Sequence, residues 1–73
     1  MTHYNLELSD GDRRGRYVIL HDRDGTLHAV SAGAVLAVCE TESGALLLLP
    51  GARMIQVEQG VHTVLGWLDV GAR

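Results

Sequence analysis

The chain has one cysteine, Cys39, and no lysine. A lone cysteine excludes an internal disulfide, and Cys39 lacks the CxxC partner from which structural zinc sites are built. Without lysine there can be no phosphate-cradling GxxxxGK[ST] loop. Aromatic residues make up 4% of the chain, as Tyr4, Tyr17 and Trp67, too few for a row of base-stacking platforms. Apolar runs are short: Ala45 to Leu49 stops at Pro50, far from the roughly 20 residues of a membrane-spanning helix. The net charge of −3 gives no overall attraction to nucleic acid or to anionic lipid. Ser9, Ser31 and Ser43 have no GxSxG setting, so no nucleophile is primed and an enzyme is not expected.

What is present is aliphatic. Hydrophobic residues make up 47% of 73 positions, carried by Leu, Val and Ala. A single domain spanning residues 1–73 is expected. A chain of this length hides only about 60–65% of its unfolded surface, so its core is marginal without a partner. Self-association is therefore expected, with a homodimer first. The opening MTHYNLELSD lacks the basic stretch and apolar run of a secretory signal. With one unpaired cysteine, that predicts a cytoplasmic protein.

The centre of the chain, Ala34 to Glu58, reads as three strands joined by tight turns. Val35 to Thr41 is β-rich, Glu42-Ser43-Gly44 breaks it, Ala45 to Leu49 follows, Pro50-Gly51 breaks again, and Arg53 to Glu58 returns. Before it, Tyr4 to Leu8 alternates as a half-buried strand, Ser9 to Gly15 is a polar loop, and Arg16 to His21 is a strand. Asp24-Gly25 is a strong hairpin signal, and Thr26 to Val30 is the return strand. With Asp24-Gly25 as a two-residue turn, His21 is predicted opposite His28 and Ile19 opposite Val30. Ser31-Ala32-Gly33 reads as a crossing segment with one helical turn. Val61, Val64, Leu65 and Leu68 form the stripe of a short amphipathic helix with Gly60 as its N-cap. The expected fold is mainly β: about five strands in an antiparallel meander, strongly curved or closed as a small barrel, with the helix packed on it.

This order resembles the layout of FlbD-type small flagellar proteins, also called SwrD, from about Val18 to Leu68. That family shows Asn-Gly at the first hairpin, where this chain has Asp24-Gly25. An aromatic-x-aliphatic pair follows, here His28 and Val30, and then Asn-Pro-Asp, here Ser31-Ala32-Gly33. Gly51, the Val57-Glu58 pair and the Val61-x-x-Val64 helix start are similar to the family's ending, with one residue inserted. The resemblance implies an accessory role in motility and no catalytic residues.

The candidate sites follow from these placements. A predicted His21–His28 cross-strand pair would lie near enough to share a metal, but no third and fourth ligands accompany it, so neither metal nor other cofactor is expected. A calcium loop around Asp22-Arg23-Asp24-Gly25 fails, because Leu20 and Ser31 fall where Asp and Glu are required. Cys39, in an apolar strand, is expected in the core. Both faces of the predicted sheet are apolar, which assigns Tyr17, Ile19, Leu47 and Leu49 to an interaction surface; Trp67, beside the helix stripe, is either a rim residue of the core or an anchor of that surface at a subunit contact. Non-enzymatic protein–protein interaction is thus the leading reading. The alternative is a nucleic-acid-binding or regulatory β-domain using Arg13, Arg14 and Arg16, with Arg53.

Overall fold

The computed structural model describes residues 8–69, which form two three-stranded antiparallel sheets and a C-terminal helix. The first sheet joins Arg13–Arg14 (β1), Tyr17–His21 (β2) and Leu27–Ser31 (β3) in the order β1-β2-β3. β1 lies in the stretch expected to be loop. Its turn is Gly15-Arg16, with Gly15 at φ +61°, and glycine at the first central position suits a type II′ hairpin turn. The strand expected at Tyr4 to Leu8 lies outside the described residues except for Leu8, which is not in a strand.

The β2–β3 register corrects the expected one by a residue. Leu20 pairs with His28, His21 with Leu27, and Val18 with Val30, so the connection is Arg23-Asp24-Gly25. A type I′ turn needs positive φ at both central residues, and of Asp24 and Gly25 only Gly25, at +87°, has it. The Asp22 carboxylate selects the longer loop. Its Oδ1 accepts the backbone N–H groups of Asp24 and Thr26, each at 2.9 Å, and the Gly25 N–H reaches the Asp22 carbonyl at 2.9 Å. A one-residue slip moves side chains to the other face. His21 and His28 accordingly lie on opposite faces.

A 3₁₀ turn at Ala32–Ala34 then carries the chain out of the first sheet. The second sheet is the expected meander, Ala37–Thr41 (β4), Gly44–Leu49 (β5) and Arg53–Val57 (β6), in the order β4-β5-β6. The single five-stranded sheet is replaced by two sheets because β3 does not pair with β4, and the barrel is not closed. One backbone bond, Arg23 N–H to the Gln56 carbonyl at 2.9 Å, ties the hairpin loop to β6.

Alternation decides what goes inside. Ala45, Leu47, Ile55 and Val57 of the second sheet meet Leu20 and Val30 of the first and Val64 of the helix in one core. Each fully buried aliphatic side chain stabilises the fold by about 1.5–3 kcal/mol. The helix, Val61–Trp67 (α1), starts at Gly60 as expected. Only Val64 is fully buried, Val61, Trp67 and Leu68 pack at the core's margin, and Leu65 is 50% exposed, which removes it from the expected stripe. The helix is latched to the first sheet through Gly11, at φ +92°. A Cβ there would lie 2.6 Å from the Trp67 indole nitrogen, so the ring rests on glycine backbone, and Arg13 Nη2 donates to the Trp67 carbonyl at 2.8 Å.

Candidate interaction surface

In β5, Ala45 and Leu47 are fully buried, so Leu46 and Leu48 point away from the core. Register puts Cys39 and Gln56 beside Leu46, and Ala37 and Met54 beside Leu48. Leu36, just before β4, extends this outer face and is 69% exposed; Met54 is 62% exposed. The middle of the face therefore carries no charge. At one end it turns polar: the Gln56 side-chain amide donates to Thr41 Oγ1 at 3.0 Å and to the Ala45 carbonyl at 3.1 Å. At the other end the face runs out at the Pro50-Gly51-Ala52 turn, where a shallow apolar depression is bordered by Leu36, Leu48 and Met54.

The predicted interaction residues are dispersed. Leu47 is fully buried in the core, and Ile19, 4% exposed, is covered on the face of β2 opposite the core's Leu20, so neither offers surface. Leu49 is half-buried beside the core, Trp67 is a rim residue over Gly11, and Tyr17, 45% exposed, lies on the outer face of the first sheet. Cys39, expected in the core, is exposed. Sequence reasoning missed Leu36, Leu46, Leu48 and Met54 as one surface. The signal was the inward Ala45 of β5, a small residue under the Val57 side of the core, which fixes the parity of the whole run.

A second feature is a cleft of about 300 Å³ between β3 and β6, lined by His28, Val30, Ser31, Leu49, Arg53 and Ile55. His28 is fixed there, its Nε2 donating to Asp22 Oδ2 at 2.9 Å. That bond, followed by those from the Thr26 and Asp24 backbone, holds the Asp22 carboxyl below its ordinary value of 3.8. His21, on the other face, donates from Nδ1 to Asp10 Oδ1 at 2.8 Å, while Asp10 Oδ2 accepts from Gln59 at 2.9 Å. Each histidine is thus committed to its own carboxylate rather than to the other ring. Among the described residues no three His, Cys, Asp or Glu side chains gather as a metal cluster, and no helix is long and apolar enough to cross a membrane.

Of the predicted basic residues, Arg13 is held by the Trp67 carbonyl and Arg14 donates to the Arg13 carbonyl at 3.1 Å. Arg16 is exposed, and Arg53 stands at the cleft on the other sheet. Comparison with protein-family models, with curated proteins and with solved structures finds no match.

Proposed function

We propose that the protein is a non-enzymatic interaction module that self-associates through the outer face of its second sheet. The uncharged surface of Leu36, Leu46, Leu48 and Met54 carries this reading, because none of these side chains contributes to the buried core. A sheet face is self-complementary about a two-fold axis, and two-fold pairing is the commonest way copies associate. The face is small. Three strands of five residues cover roughly 250 Å² at ordinary strand spacing, below the about 800 Å² per partner of a stable complex. The expected association is therefore reversible and micromolar rather than obligate. The nucleic-acid alternative is weaker, since Arg13 is engaged by the helix terminus. The resemblance to FlbD-type proteins makes motility the process to examine first.

Sedimentation velocity over a concentration series tests the reading. The wild type should rise from 7.9 kDa toward twice that mass, while Leu36→Glu with Met54→Glu should stay monomeric. Alkylation of Cys39, which lies on the same face, should slow as the wild type associates. A wild type monomeric throughout, or a doubly substituted chain that associates equally well, refutes the proposal.

A further inference from the structure

The hydrogen-bond parity of β3 leaves one of its edges open. Asp22 N–H bonds the Thr26 carbonyl and Ala32 N–H bonds the Arg16 carbonyl, and these bracket the β2–β3 ladder. His28 and Val30 therefore exchange bonds with β2, while the backbone groups of Leu27, Ala29 and Ser31 point outward, toward the cleft. Among the described residues they have no backbone partner across it. β6 is open in the same way. Gln56 turns its carbonyl outward to Arg23, so the Met54 backbone also faces outward, with no backbone partner among the described residues. The Arg23–Gln56 bond closes one end of this gap between sheets, and the Ser31–Arg53 end remains open.

Folded proteins ordinarily protect such edges with lysine, proline, bulges or a covering element. β3, Leu-His-Ala-Val-Ser, carries none of the first three. Its floor is apolar, from Val30 and Ile55, each 7% exposed. Arg53 adds a charge at the open end. Its guanidinium has no ion pair or hydrogen bond among the described residues, whereas the His28 ring, which also lines the cleft, is already hydrogen-bonded to Asp22.

We infer that this cleft takes an extended peptide bearing a carboxylate, which adds to β3 as an antiparallel strand and sets its acid against Arg53. Backbone bonds to Ala29 and Ser31 supply affinity, alternate apolar side chains reach Val30 and Ile55, and Arg53 selects the acidic residue. The inference rests on reading the protein as an interaction module, but it uses a different surface from the outer face of the second sheet.

A phage-displayed library of short random peptides, selected on the full chain, tests it. Enriched peptides should alternate apolar residues and carry an Asp or Glu. Measured by fluorescence anisotropy, a selected peptide should weaken about tenfold or more on Arg53→Glu, the loss of one charge-assisted bond. Ala29→Pro should weaken it similarly, because proline removes an outward N–H that the β2–β3 ladder does not use. N-methylation of the peptide at alternate residues should abolish binding in one parity and spare it in the other, a signature of strand pairing that needs no folded variant. The inference is overturned by failure to enrich peptides, by equal binding to Arg53→Glu, or by indifference to N-methyl parity. It is also overturned if Ala29→Pro converts a wild-type dimer to monomer, since β3 then pairs with a second copy. Loss of dimerisation in the Leu36→Glu/Met54→Glu chain with peptide binding intact would support the inference and separate the two surfaces.

Discussion

Val64→Ala probes how the helix is held. Val64 has no solvent exposure and is the helix's single fully buried residue. The substitution removes two methyl groups, about 1.6 kcal/mol at about 0.8 kcal/mol each. A site closed by both sheets cannot collapse fully, and the remaining cavity adds about 1 kcal/mol. The expected loss is about 2–3 kcal/mol, against a total stability of about 4–11 kcal/mol for a domain of this length. With a urea dependence near 1 kcal/mol per molar for a small domain, the unfolding midpoint should fall by about 2–3 M. Leu65→Ala deletes a larger side chain, yet Leu65 is 50% exposed. It should cost under about 1 kcal/mol, the more so because alanine is the better helix former. Far-UV circular dichroism at low protein concentration reads both variants without a contribution from association. A Leu65 effect equal to or larger than that of Val64 would refute the docking orientation.

Two other substitutions test local geometry. Gly44→Ala should cost roughly 3 kcal/mol or more, because Gly44 sits at φ +151° and a Cβ there would meet the Val57 carbonyl oxygen at 2.1 Å; a melting temperature within a few degrees of wild type would contradict that packing. Asp22 has a carboxyl lowered from 3.8, first by the His28 hydrogen bond, so the stability it adds is present above that value and lost as pH falls through the lower folded one. Asp22→Asn should therefore flatten the acid limb of a melting-temperature series run from about pH 5 to about pH 2, and an unchanged limb would show that the carboxylate does not pin the hairpin.

The second sheet was legible because its punctuation is strong. Glu42-Ser43-Gly44 and Pro50-Gly51 leave little choice of turn position, and β4, β5 and β6 fall where they were expected. The crossing turn and the helix start at Gly60 were legible for the same reason. The first hairpin was not. Asp24-Gly25 supports a two-residue turn on its own, and the deciding group is the Asp22 side chain, which competes for the same backbone donors. That slip carried the histidines to opposite faces and undid their pairing. β1 was missed because Arg13-Arg14 reads as loop and only the Gly15 turn betrays it. Leu65 was misplaced because a helix of seven residues buries a narrower stripe than its apolar spacing suggests. The cleft was not legible at all, since it exists only where two separately folded edges meet.

The run Leu46 to Leu49 poses a problem that the core answers only in part. Ala45 and Leu47 have no exposure, and their alternates would serve a lone sheet equally well as threonine or serine, because strand pairing is made by the backbone. Leu46 and Leu48 instead continue the apolar surface between Leu36 and Met54, where no element of the described chain covers them. The polar tier of Thr41 and Gln56 bounds that surface at one end and the Pro50 turn bounds it at the other, so it is a patch of defined size rather than a generally greasy exterior. Charge is kept to its periphery, with Glu42 in the β4–β5 turn and Glu58 beyond Gln56, while Glu40 pairs with Ala45 and so belongs to the other face. An uncharged centre with a charged margin is the arrangement that favours desolvated contact at the middle and blocks it at the edges. For so limited an area this favours brief, reversible association in the proposed dimer, which would leave the β3 edge free for the proposed peptide.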